Sequence, residues 1–310
     1  MSLFSHHQHS SHQFFIFLLI LAFKGFTISV SATTFTFVNK CDHTVWPGIL
    51  GKPDLGTTGF ELKKGTTQTF QAPTGWSGRF WARTGCKFDD SGHGTCSTGD
   101  CGSGEINCNG NGATPPATLA EFTLGTGSPD YYDVSLVDGY NLPMIVETNG
   151  GSGSCEATGC GEDINRRCPS ELRVDGGDAC NSACGAFGRE EYCCSGAFAS
   201  PSSCSPSVYS EMFKVACPKS YSYAFDDATS TFTCTDAADY TITFCPSSSP
   251  SLKSLMQSGP GSSVEQAAVA TKSWIANLAT GDSTRINQPF SISMSIFFMA
   301  ITFIFSYLVF

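Results

Sequence analysis

All sixteen cysteines of this 310-residue chain fall between Cys41 and Cys245, and neither flank contains one. An even number of thiols packed into one segment points to disulfides made in an oxidising compartment, because cytosolic reductants keep thiols unpaired. The same distribution separates a covalently stapled module from two flanks with other tasks.

The N-terminal flank reads as a secretory signal peptide over residues 1–32. Its apolar run, Phe14 to Phe23, is too short to span a bilayer. Val30-Ser31-Ala32 fits a small-x-small cleavage site, with cleavage after Ala32. The stretch before the run has no Lys or Arg and carries His6, His7, His9 and His12. The C-terminal flank ends in an apolar tail, Ser291 to Phe310, that runs to the last residue. About twenty residues at roughly 1.5 Å each would cover about 30 Å, enough for a membrane span. No basic stretch follows it, which favours a GPI-anchor signal over 283–310 rather than a span. Ala279-Thr280-Gly281 and Asp282-Ser283-Thr284 are the candidate attachment triplets. Residues 246–282 form a Ser/Pro-rich stalk, within which Val264 to Leu278 has the pattern of a short amphipathic helix. No Asn-x-Ser/Thr sequon is present.

From Thr33 to Cys245 there are 13 Lys and Arg against 25 Asp and Glu, a net charge of −12 with His neutral. So acidic a surface excludes nucleic acid and anionic lipid as partners, and leaves neutral polymers such as polysaccharides, or basic proteins. Membrane association would come through the C-terminal anchor alone. His43 and His93 are the only histidines outside the signal peptide. That argues against a Ser-His-Asp triad or a His-paired zinc site; no metal and no cofactor is expected.

Strand signals dominate. Phe35/Phe37, Ala120/Phe122/Leu124 and Tyr240/Ile242/Phe244 alternate with polar residues, and strand-like runs recur at 43–50, 57–61, 67–71, 79–83, 131–137 and 142–147. This predicts a mainly β protein, an antiparallel sandwich or barrel. One helix is predicted over Ser205 to Cys217, with Ser205 as cap, Pro206 at its first position and an apolar stripe of Val208, Tyr209, Met212, Phe213 and Ala216.

The segment GHGTCSTGDCGSGEINC, Gly92 to Cys108, resembles the signature of thaumatin-like proteins. TVWPG, FWARTGC, PPATLAEFTL, DVSLVDGYNLPM, EYCCS and FDDATSTFTC agree with it, so the resemblance covers Thr33 to Cys245. It implies a flattened antiparallel β-sandwich with two disulfide-rich subdomains: a core from 33–83, 116–160 and 218–245, a small hairpin subdomain at 84–115 and a helical one at 161–217. It further implies the pairs Cys41–Cys245, Cys86–Cys96, Cys101–Cys108, Cys155–Cys234, Cys160–Cys217, Cys168–Cys180, Cys184–Cys193 and Cys194–Cys204, which spacing alone does not select. Closing the longest of these loops would remove about 4–5 kcal/mol of unfolded-state entropy. Two features depart from the short secreted members: a longer Cys194–Cys204 loop and the tail after Cys245.

The resemblance also implies an acidic cleft of one Arg, one Glu and three Asp. The matching positions are Arg79, Glu121, Asp133, Asp138 and either Asp226 or Asp227. Glu121 alternates against Ala120 and Phe122, so it faces away from the apolar side of its strand. Asp133 and Asp138 have opposite parity and can meet only if the strand ends before Asp138-Gly139, a turn dipeptide. Two carboxylates flanking a glycosidic bond suffice for hydrolysis, with Glu121 as acid and Asp138 as its partner. The expected role is an extracellular, apoplastic defence protein, monomeric, that binds β-1,3-glucan or another cell-wall polysaccharide. The alternatives are a weak endo-β-1,3-glucanase and a cell-surface module that binds another protein. Phe80, Trp81, Phe122, Tyr131, Tyr132 and Tyr140 read as core or cleft wall.

Overall fold

Period-two alternation builds the first strand, β1 (Ala32–Asn39): Phe35 and Phe37 are fully buried while Thr34 and Thr36 stay partly exposed. The computed structural model describes residues 32–153, 155–236 and 239–247. The signal peptide, stalk, amphipathic segment and apolar tail expected from the sequence lie outside the described residues. Among the described residues, no helix is long and apolar enough to cross a membrane.

Eleven further strands follow: β2 (Trp46–Lys52), β3 (Thr67–Pro73), β4 (Ser77–Arg83), β5 (Lys87–Phe88), β6 (Gly94–Thr95), β7 (Leu119–Thr123), β8 (Asp130–Ser135), β9 (Met144–Asn149), β10 (Thr158–Cys160), β11 (Phe232–Cys234) and β12 (Asp239–Phe244). The helices are short: α1 (Ala183–Phe187), α2 (Glu190–Cys193), α3 (Val208–Ala216) and α4 (Asp227–Ser230). Two five-stranded sheets form, ordered β10-β9-β12-β1-β3 and β11-β8-β7-β4-β2, with β5 and β6 as a separate ribbon. The protein is therefore mainly β, and all but one of the strand pairs among the described residues are antiparallel. The exception is β1 beside β12, which run parallel. That pairing brings the two ends of the module together, where Cys41 and Cys245 are bonded.

The core is aromatic. Phe35 packs against Trp76, Phe80, Phe122 and Tyr240, with ring centroids 4.8–5.8 Å apart. Edge-on and tilted contacts at such distances favour ring quadrupoles, and truncating such a ring to alanine costs about 3–5 kcal/mol. Ile49, Phe80, Ala82, Ala120, Phe122, Tyr132, Val134 and Cys234 supply the second sheet's contribution to this core.

The opposite face of the second sheet is covered in two places. Trp81 and Leu119 lie beneath the loop closed by Cys101–Cys108, and Trp81 Nε1 donates to the Gly99 carbonyl at 2.8 Å. Leu136 and Tyr140 pack into a separate cluster with Ile164, Leu172 and Phe213 of the helical region. That region is stapled by Cys160–Cys217, Cys168–Cys180, Cys184–Cys193 and Cys194–Cys204. The other two bonds are Cys86–Cys96 and Cys155–Cys234. Between the two covers, part of the sheet face stays open.

Two local expectations change. The helix starts two residues later than predicted: Ser207 is the cap, not Ser205, and Pro206 precedes it. Ser207 and Ser210 form a reciprocal capping box, satisfying two otherwise orphaned N–H groups. Of the predicted stripe, Phe213 is buried, whereas Val208 is 43% exposed. The 57–61 run is not a strand and makes only isolated bridges, such as Gly48 with Gly59. A Cβ on Gly59 would lie 2.3 Å from the Ile106 carbonyl oxygen, so this segment is pressed against the signature loop and does not extend a sheet.

Candidate ligand-binding cleft

Strand register places three charged residues in one row. Arg79 on β4 is opposite Glu121 on β7, and Glu121 is opposite Asp133 on β8. Their buried neighbours Phe80, Ala120, Phe122, Tyr132 and Val134 face the core, so pleating forces the row onto the other, uncovered face. The next row holds Ser77, Thr123 and Tyr131, with the Ser77 and Thr123 hydroxyls 3.1 Å apart. Together these side chains line a shallow concavity of about 230 Å³. Tyr131 is the one ring of the predicted set that stands open, at 48% exposed. Phe80, Trp81, Phe122, Tyr132 and Tyr140 are buried.

Asp138 joins the row from a turn. Strand β8 ends at Ser135, and Gly139, with φ of 90°, lets its N–H bond the Leu136 carbonyl at 3.0 Å. From this turn the charge of Asp138 acts on Glu121, whereas the charges acting on Asp133 are those of Glu121 and Asp227.

Electrostatics couple the titrations of the group. Burial pushes the Glu121 carboxyl upward; Arg79 opposes this and the charge of Asp138 adds to it. The Arg79–Glu121 contact is long, 3.8 Å from Nε to Oε1, and both side chains are only half-buried, so it adds little stability. Asp133 is pushed up to about 8, chiefly by burial, then by the charges of Glu121 and Asp227. Its Oδ1 is buried and has no hydrogen-bond partner. At neutral pH Asp133 therefore holds a proton in much of the population, and an acceptor oxygen is left unmatched.

Asp226 and Asp227, indistinguishable in the sequence, differ in place. Asp227 accepts a 2.8 Å bond from the Tyr221 hydroxyl, and its charge acts on Asp133. Asp226 is turned inward, with a side chain 11% exposed and an ion pair to Lys214 at 3.0 Å. Tyr221 and Lys214 carry no pattern that marks them in the sequence. Among the described residues, no three His, Cys, Asp or Glu side chains are grouped to hold a metal ion.

The thaumatin family model matches residues 39–246. The chain belongs to the thaumatin family. Curated relatives extend the match across nearly their whole length. Thaumatin-like protein 1 of Arabidopsis thaliana is 62% identical over 252 residues, 78% of this chain and 96% of its own. Pathogenesis-related protein 5 of the same plant is 55% identical over 237 residues, 74% of this chain and 98% of its own. A relative from Prunus avium named Glucan endo-1,3-beta-glucosidase is 52% identical over 237 residues, 74% of this chain and 95% of its own. In this thaumatin-family chain, the open row offers a guanidinium, a largely protonated carboxyl at Asp133, the Glu121 carboxyl and an exposed phenol within one concavity.

Proposed function

We propose that the Arg79–Glu121–Asp133 row, with Asp138, Asp227 and Tyr131, binds β-1,3-glucan in a defence role outside the cell. One observation carries the reading: Asp133 is kept proton-rich, with an unmatched buried oxygen, at the floor of an open concavity. Such an arrangement is costly for folding, and it supplies both a donor and an acceptor to sugar hydroxyls. The exposed Tyr131 ring can take the apolar face of a sugar. The name of the Prunus avium relative supports this substrate class.

The test is retention on insoluble β-1,3-glucan. The wild type is expected to be retained, and Glu121→Gln with Asp138→Asn to lose roughly thirtyfold in affinity, about 1 kcal/mol for each charge-assisted hydrogen bond made neutral. Wild-type protein passing through unretained, or equal retention of both proteins, overturns the proposal.

A second reading, endo-hydrolysis, is favoured by the elevated Glu121 carboxyl beside the Asp138 charge. Glu121 would donate its proton to the glycosidic oxygen, and Asp138 would activate water or attack carbon. Reducing-sugar release that disappears in Glu121→Gln supports it; release at background level in the wild type ends it.

We also place the mature protein outside the membrane on a GPI tether. Treating intact cells with phosphatidylinositol-specific phospholipase C is expected to release it. Retention in the membrane fraction after treatment contradicts the tether.

A further inference from the structure

We propose that the Lys214–Asp226 pair is a positioning device, holding Asp227 and Tyr221 beside the carboxylate row while Asp226 itself makes no contact with ligand. The inference rests on the reading of this cleft as the ligand site.

The segment from Tyr221 to Thr231 leaves and rejoins strand β8 on either side of Asp133. At one end the Tyr221 N–H bonds the Val134 carbonyl at 2.9 Å, and the Leu136 N–H bonds the Tyr221 carbonyl at 2.8 Å. At the other end Phe232 of β11 is opposite Tyr132. The loop between these anchors therefore flanks Asp133, and its middle needs a third point of attachment.

Lys214 of helix α3 provides that point. Its Nζ donates to the Ser220 carbonyl at 3.1 Å and the Ser230 hydroxyl at 2.8 Å, and pairs with Asp226 Oδ2 at 3.0 Å. All three donor positions of the ammonium are thus used, and its side chain is 24% exposed. Asp226 Oδ2 also accepts from the Ser222 N–H and hydroxyl, both at 3.0 Å, and Oδ1 accepts from the Thr229 hydroxyl at 3.1 Å. Asp226 is saturated from within. The next residue, Asp227, opens α4 with its carboxylate against the Tyr221 hydroxyl, which also meets the Thr231 hydroxyl.

The geometry makes a helix of the disulfide-stapled region responsible for a carboxylate in the sheet's cleft. Without Lys214, a mostly buried carboxylate at Asp226 would lose its counter-charge and turn toward water, and the adjoining Asp227 would move with it.

The sign of one titration separates positioning from bulk charge. The groups facing Asp133 are Glu121 on β7, Asp227 on α4 and the Tyr221 phenol. Removing the Lys214 cation alone would leave the Asp133 pKa unchanged or raise it, because losing a positive charge cannot favour the charged carboxylate. Releasing Asp227 from its place would lower it. We expect Lys214→Met to lower the Asp133 pKa by about one unit in a carboxyl-carbon NMR titration. Retention on insoluble β-1,3-glucan should fall about tenfold, within what a small misplacement of a binding group costs. Lys214→Arg should restore both. The neutral pair Lys214→Met/Asp226→Asn leaves no unpaired buried charge, so it reads the same titration if Lys214→Met fails to fold. Variants that lose thermal stability while Asp133 titrates as in the wild type, or higher, overturn the proposal. A lowered Asp133 pKa in a protein whose wild type ignores glucan supports the positioning and removes the ligand assignment.

Discussion

Replacing Arg83 with leucine is expected to lower the melting temperature by about 6–12 °C, the effect of roughly 3 kcal/mol on a domain of this size. Arg83 is fully buried. Its Nε donates to the Trp46 carbonyl at 2.9 Å, and its guanidinium nitrogens reach the carbonyls of Glu105 and Ile106 at 3.3 and 2.6 Å. Burial pushes its pKa down to about 10, with the charge of Asp100 opposing, so it stays cationic at neutral pH. The cation is solvated mainly by backbone carbonyls, and those carbonyls belong to the edge strand β2 and to the signature loop closed by Cys101–Cys108. Arg83 thus fastens the loop over Trp81 and marks one border of the open face. Leucine would remove the side-chain donors to the Trp46, Glu105 and Ile106 carbonyls, of which Glu105 keeps its bond from the Ser103 hydroxyl. Lysine keeps the charge but not the fork, and should recover less than half of the loss. Calorimetry on the two variants decides it; a leucine variant melting within 2 °C of wild type would show that the loop holds without the guanidinium.

The Asp133→Asn variant is expected to be more stable than the wild type at alkaline pH and equal to it in acid. The folded Asp133 carboxyl titrates near 8 instead of near 3.8. Between those values the folded state retains a proton that the unfolded chain has released. Stability therefore falls as pH rises through that window, and the full penalty is present above about pH 8. Asparagine has no proton to lose and carries no such penalty. At pH 9 the variant should gain at least about 1.4 kcal/mol, the equivalent of one pKa unit. Denaturant melts at pH 4 and pH 9 measure it. Parallel wild-type and variant curves across that range would contradict the elevated carboxyl.

Much of this is legible in the sequence. The period-two alternation through Ala120 and Phe122 is enough to turn Glu121 outward, because a strand offers just two faces. The turn at Asp138-Gly139 is readable from residue type. What could not be read is register: Arg79 and Glu121 are far apart in the chain, and only long-range pairing of β4 with β7 puts them side by side. The parallel β1–β12 pair is likewise a contact between the two ends of the module that no local pattern encodes. The distinction between Asp226 and Asp227 depends on a cation from a distant helix, where Lys214 looks like any polar residue flanking an apolar stripe. Ser205 and Ser207 are both good caps, and the reciprocal bond with Ser210 decides between them.

The central claim, that the open carboxylate row is a sugar site, is tested most directly by titrating a soluble linear β-1,3-gluco-oligosaccharide into the protein while following carboxyl-carbon NMR signals. Saturable shifts at Glu121, Asp133 and Asp227, with Asp226 and the carboxylates of the other sheet unmoved, are the predicted result. No saturable shift at Glu121 and Asp133, or shifts confined to carboxylates elsewhere on the molecule, would contradict it.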